Sequence, residues 1–169
     1  MVNYRRIQAN DVKRFRDIRI RALEDSPHAF ASTTASVLDR PWDSWEAQVL
    51  ACVQGGDRIT QLCFDGELAI GIAALYRTEP SDHLQGEILQ VWVDPEFRGL
   101  GIARELMLSL IKWAIKHNYS QLYATIHKEN SAVIPFYEKL GFRFDREATD
   151  QAPERDLIIR LDLQPDLLG

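Results

Sequence analysis

One stretch constrains the fold of this chain more than any other. Glu87 to Val93 is an apolar-rich run with strand character, broken by Asp94-Pro95 and followed by Arg98-Gly99-Leu100-Gly101. A helical period then takes over: over residues 98–117, Ala103, Leu106, Met107, Leu110 and Ala114 fall on one face. A strand that passes within a few residues into an amphipathic helix needs layered packing, helix on sheet.

The flanking segments extend this pattern. Val12, Phe15, Ile18, Arg19 and Ala22 lie at helical spacing, which predicts a helix over 11–24 with Asn10-Asp11 as its cap and Ser26-Pro27 as its end. Residues 26–41 lack a period and read as a loop. Asp43 or Ser44 can cap a second helix carrying Trp45, Val49 and Cys52, which stops at Gly55-Gly56. Arg58–Phe64 and Leu68–Tyr76 flank Asp65-Gly66, a hairpin signal. Gln121–Ile126 reads as a strand and Ser131–Leu140 as a short helix closed by Gly141. Phe142–Arg146 and Asp156–Leu163 read as closing strands. The expected fold is α/β (α+β): a single domain over 1–169, with a mixed, largely antiparallel twisted sheet of about seven strands flanked by about four helices.

Composition narrows the function classes. At 169 residues and 46% hydrophobic, the chain can bury a sizeable core. Twenty Lys and Arg stand against 25 Asp and Glu, for a net charge of −5 and a pI near 5.4. That balance disfavours a nucleic-acid coat, which needs a basic surface, and leans slightly toward cationic acceptors. The arginines near the N-terminus read as a solvated helix face. No apolar run suggests a membrane span or a signal peptide. Two cysteines, Cys52 and Cys63, are too few for a disulfide framework and fit a reducing, cytoplasmic setting. The four histidines show no HxxxH or CxxC context, so no metal is expected.

The loop between strand and helix is a candidate anion cradle. A helix start carries unpaired N–H groups and partial positive charge. Gly99 and Gly101 let an anion approach the backbone, and Arg98 can add a full charge. The phosphate loop of nucleotide hydrolases is ruled out because Ile102-Ala103 follow Gly101. The dinucleotide fingerprint fails because Arg104 occupies its third glycine position. A loop that merely turns the chain remains the plain alternative.

A second element completes the pattern. Asn130 is followed seven residues later by Tyr137 and then by Gly141-Phe142. Arg98-x-x-Gly101-x-Ala103 and Asn130 through Phe142 together resemble the two signatures of the GNAT N-acetyltransferase superfamily. The close match covers 87–142, and the first 60 residues carry no shared signature.

The resemblance implies that acetyl-coenzyme A lies between two parallel strands, here 87–93 and 121–126. Backbone N–H groups around Arg98, Gly99, Leu100, Gly101, Ile102 and Ala103 would hold its pyrophosphate. Val91, Trp92 and Val93 would bond the pantetheine arm and polarise the thioester carbonyl. Asn130 would also bond that arm. Tyr137 would stand near the sulfur as general acid. A fixed N–H at the developing oxyanion contributes ~3 kcal/mol or more, and a positioned acid roughly 10²–10⁴-fold. Glu87 resembles the strand glutamate that serves as base in histone-acetylating members. Strand alternation puts Glu87 on the face of Leu89, Val91 and Val93 if no bulge intervenes. At ~3.3 Å per residue it stands about 13 Å from Val91, so it would act through water.

The implied activity is direct acetyl transfer to a primary amine of a small molecule or a protein. The alternative is a non-catalytic acyl-CoA-binding sensor or interaction module. Homodimers are common in the family. His28 and His83 lie in predicted loops that could border an acceptor site, although solvated loop histidines are commoner. His127 follows the fifth strand and could lie near the coenzyme, but is given no role. Phe30, Trp42 and Trp45 are candidates for lining the acceptor pocket, with core packing as the favoured alternative.

Overall fold

A computed structural model of the chain describes residues 1–27, 33–78 and 84–164. Its strands are β1 (Val2–Arg6), β2 (Arg58–Asp65), β3 (Leu68–Arg77), β4 (Gln85–Val93), β5 (Gln121–His127), β6 (Arg143–Phe144) and β7 (Asp156–Asp162). The helices are α1 (Val12–Asp25), α2 (Thr34–Leu38), α3 (Trp42–Val53), α4 (Ile102–Lys116), α5 (Ile134–Lys139) and α6 (Arg146–Gln151). All seven strands form one sheet in the order β1-β2-β3-β4-β5-β7-β6. Every neighbouring pair is antiparallel except β4–β5.

Helices cover both faces. On one, Leu106, Met107 and Leu110 of α4 pack against Ile70, Leu75 and Leu122 of the sheet. On the other, Phe15 and Ile18 of α1 and Trp45 of α3 pack against Leu62, Ile72 and Trp92. The helical spacing of Val12, Phe15, Ile18 and Ala22 predicts this buried face, and all four are buried.

The structure departs from the sequence expectations in its short elements. Residues 26–41 were expected as loop, yet Thr33 and Ser36 form a reciprocal capping box that starts α2. The strand expected over Phe142–Arg146 is only two residues long. Its continuation is lost because the Asp145 carboxylate accepts the Ala148 N–H and starts α6. The helix expected over 131–140 is split. Lys128–Val133 is a 3-10 segment with Asn130 off helical angles, and α5 begins beside Pro135. Likewise α4 starts at Ile102 rather than 98, after a short 3-10 turn at Pro95–Phe97. Trp45 lies in the core, edge-on to Phe15. Trp42 is exposed, its indole N–H bonded to Glu46. Neither lines the cleft described below; Phe30, like His28 and His83, falls outside the described residues.

Asp11 does more than close a turn. It is fully buried and accepts two bonds from Arg5, at 2.6 and 2.9 Å, and one from the Gln8 N–H at 2.8 Å. Burial pushes its pKa up, but the Arg5 and Gln8 bonds and the charges of Arg5 and Arg14 outweigh that and hold it below the usual carboxylate range. The stability from this depressed pKa is present above the unfolded value of about 3.9 and is lost as pH falls through the folded value. Asp11→Ala is expected to cost roughly 2–3 kcal/mol at pH 7. The deficit against the parent should shrink toward pH 3, as read from urea midpoints across that range.

Candidate active site

The parallel ladder between β4 and β5 has only three residue pairs, Gln85↔Gln121, Gly86↔Leu122 and Glu87↔Tyr123. Beyond Glu87 the strands separate. A cleft of about 760 Å³ opens between them, lined by residues 87–93 on one arm and 124–127 on the other. Its cause lies in β4. Leu89 pairs with Ala74 and Trp92 with Ile72, so Gln90 and Val91 together oppose Ala73. Gln90 sits at φ +60, an unusual angle for a residue with a side chain. Such a bulge bends its strand and takes backbone groups out of the ladder.

The bulge also corrects the expected alternation. It shifts the parity of β4, so Trp92 rather than Val93 shares the face of Glu87. Trp92 packs in the α1–α3 core, whereas Val93 packs in the α4 core.

At the end of β4 the chain turns through Gly99 and Gly101, at φ +79 and +82. These left-handed angles are strained for any residue with a Cβ. A Cβ built at either position would meet nothing within 4 Å, so the space over the loop is open. Gly101 is the N-cap of α4 and has no side chain to cap the first turn. Its N–H groups and partial positive charge are thus left for an anion. Ile102 is buried, so only its backbone can serve there, and the Leu100 side chain is exposed.

Arg98 departs from the sequence expectation. Its Nε donates to the Val93 carbonyl at 2.9 Å, and another guanidinium N–H donates to Asp25 at 2.6 Å. Asp25 also accepts the Trp92 indole N–H at 2.9 Å and the Ser26 hydroxyl at 2.7 Å. Bonds from Trp92 and Ser26, with the Arg98 charge, hold Asp25 below the usual carboxylate range. The Arg98 charge is therefore matched by Asp25, and the guanidinium works as a strut between loop and α1. The loop offers an anion its backbone, not a free cation.

Glu87, Val91, Trp92, Val93, Arg98, Ala103, Asn130 and Tyr137 all line this one cleft, which brings together most of the residues expected from sequence. Gly99, Leu100, Gly101 and Ile102 form the turn between Arg98 and Ala103. Tyr137 is 6% exposed, edge-on to Phe136 and Phe142. Burial alone pushes its phenol up to about 12. Glu87 stands at the vertex of the cleft. Burial raises its pKa, and a hydrogen bond from Thr125 partly offsets the rise.

Four further lining residues escaped sequence reading, Arg19, Thr125, Arg155 and Asp156, while His127, expected to lie near the coenzyme but given no role, lines the cleft as well. Arg19 did leave a signal, since it falls on the apolar face of α1. Thr125 and His127 could have been found from the alternation of β5, whose core residues are Leu122, Ala124 and Ile126. The pairing of His127 with Asp156 comes from the β5–β7 register, which nothing local announces. Among the described residues no cluster of His, Cys, Asp or Glu could hold a metal ion, and no helix is long and apolar enough to cross a membrane.

Comparison with known proteins agrees with this geometry. The model of the Acetyltransferase (GNAT) family matches residues 18–142. Human N-acetylaspartate synthetase is 37% identical over 79 residues, which cover 47% of this chain and 25% of that enzyme. The chain thus spans about a quarter of that relative's length. A GNAT-family acetyltransferase of Streptococcus pneumoniae superposes with a TM-score of 0.78 at 17% identity, over 96% of this chain and all of that one. The PaiA N-acetyltransferase of Thermoplasma acidophilum, solved with coenzyme A, gives 0.71 at 15% identity over 96% of this chain and 99% of its own. At such identities the likeness speaks for the fold.

Gly101→Val places a β-branched residue at φ +82. It is expected to weaken coenzyme A binding by at least about tenfold in calorimetry, since roughly 1–3 kcal/mol of backbone strain is relieved only by reshaping the turn. Unchanged affinity would remove the loop from the binding site.

Proposed function

The chain belongs to the GNAT acetyltransferase family, and from that premise we propose that it is an N-acetyltransferase carrying acetyl from acetyl-coenzyme A directly to a primary amine. The observation that carries this reading is the continuity of one cleft, from the uncapped start of α4 along bulged β4 to buried Tyr137. In this reading the N–H groups of Arg98 through Ala103 hold the pyrophosphate. The backbone of Val91, Trp92 and Val93 and the side chain of Asn130 hold the pantetheine arm. A β4 N–H released by the bulge stabilises the oxyanion. The free, buried thiols of Cys52 and Cys63 suit the reducing cytoplasm in which we place it.

Proton handling follows from the two perturbed groups. A phenol near 12 stays protonated throughout the physiological range and is ready to donate when sulfur leaves. A thiol of about 8.5 is the weaker base, so this donation runs uphill by roughly three units unless the phenol is recharged. The attacking nitrogen, which must shed a second proton as it becomes an amide, supplies the recharge. Glu87 has a raised pKa but stands at the vertex, so its part in deprotonating the amine runs through water. The acceptor is a small-molecule or protein amine.

Tyr137→Phe is expected to lower kcat about 10²-fold while coenzyme affinity stays within about twofold. Equal activity in a thiol-release assay would remove the acid role, and full coenzyme binding without turnover on any amine would favour a non-catalytic acyl-CoA sensor. A carboxylate base works only when ionised, so the Glu87 contribution rises with pH through its raised pKa. Glu87→Gln should accordingly flatten the lowest-pH part of the kcat/KM profile. A profile superimposable on the parent's would take Glu87 out of the relay.

A further inference from the structure

Glu87 reaches the chemistry only through water, yet the opposite arm carries an ionisable pair closer to it. Along β5, Leu122, Ala124 and Ile126 enter the core, while Tyr123, Thr125 and His127 alternate to the other face. The Thr125–Glu87 hydrogen bond identifies that face as the cleft side. Height can be read from the last pair of the parallel ladder, Glu87↔Tyr123. His127 lies four residues further, about 13 Å along its arm at ~3.3 Å per residue. On the facing arm one step is lost to the bulge. His127 therefore stands level with Val91 and Trp92, the segment proposed to polarise the thioester carbonyl. Both residues of the pair line the cleft.

The ring is held in one orientation. His127 Nδ1 lies 2.5 Å from Asp156 Oδ1, and the two residues are direct partners in the β5–β7 ladder. Asp156 is 7% exposed, and its own N–H donates to the Pro153 carbonyl at 2.8 Å. A carboxylate accepts and does not donate, so it selects the tautomer with the proton on Nδ1 and the lone pair on Nε2. With Nδ1 engaged, Nε2 is the ring nitrogen left for the cleft.

We propose that His127, oriented by Asp156, takes the proton directly from the incoming ammonium group at the level of the thioester. This rests on the acetyl-transfer reading above and adds a catalytic residue to it. One ammonium N–H bond breaks, its electron pair stays on nitrogen, and the proton passes to Nε2. The resulting imidazolium is stabilised by Asp156. The nitrogen then forms the C–N bond, the C–S bond breaks with its pair on sulfur, and the second nitrogen proton reaches sulfur through Tyr137. His127 passes its proton on to the water through which Glu87 acts, and one proton is released to solvent per acetyl transferred. Asp156 is a positioning residue. The other charged groups lining the same cleft are Arg155, whose Nε lies 4.0 Å from Asp156 Oδ1, Glu87 from β4 at the vertex and Arg19 from α1, with Lys128 and Glu129 next to His127 in sequence.

The test uses the full chain, acetyl-coenzyme A and a panel of primary amines: polyamines, amino acids and peptides with free N-termini. His127→Asn should lower kcat at least about 10²-fold, with coenzyme A affinity by calorimetry within about twofold. In His127→Ala, added imidazole should restore part of the rate in proportion to its unprotonated fraction, a response that a purely structural role would not give. Asp156→Asn should alter the pH profile of kcat without changing coenzyme affinity. An active parent whose His127 variants keep its rate and profile, or fail to respond to imidazole, overturns this proposal alone. A parent that binds coenzyme A but releases no thiol with any amine overturns the transfer reading, and this proposal with it.

Discussion

The molecule depends on a parallel strand pair that stops early. Between β4 and β5 the ladder holds for three residues and then opens. A backbone released from a sheet still carries donors and acceptors that need partners, and buried ones are costly to leave alone. In most sheets the neighbouring strand supplies them. Here they face a cleft, where an extended ligand with amide groups of its own can take the strand's place. The Gln90 bulge accompanies this opening, with two residues of β4 set against one of β3.

A second constraint holds the ends of the cleft in register. The last turn of α1 reaches across to the end of β4 and the glycine loop. Asp25 gathers the Trp92 indole, the Arg98 guanidinium and the Ser26 hydroxyl. Arg21, a turn earlier, pairs with Asp94 and donates to the Ala69 carbonyl. Partly exposed ion pairs contribute modestly one at a time, but several on one short segment fix its position. The same helix carries Arg19 into the wall of the cleft, so the cleft wall and the glycine loop share a support.

The two faces of the sheet divide the work. The α4 side supplies the larger core and the helix start, and Tyr137 and Phe142 close its far edge. The α1 side carries Glu87, Thr125 and His127 toward the cleft. Its lining mixes Arg19, Arg98 and Arg155 with Glu87 and Asp156. The net charge of the whole chain is therefore a poor guide to the polarity of the cleft.

Much of this was legible in the residues themselves. The α4 helix, the strands β2 to β5, the left-handed glycines and the spacing of Asn130, Tyr137 and Gly141 are local patterns, set by backbone sterics and side-chain period. These carried the fold class and the two strands that form the arms of the cleft. The short helices α2 and α6 hid behind polar residues whose capping bonds outweigh period over five or six residues. The ion pair of Arg98 was not legible because its partner, Asp25, lies 73 positions away. The Gln90 bulge, the parity it imposes on Glu87, and the meeting of His127 with Asp156 were settled only by strand pairing. Register is a property of two strands at once, and no window on one of them contains it.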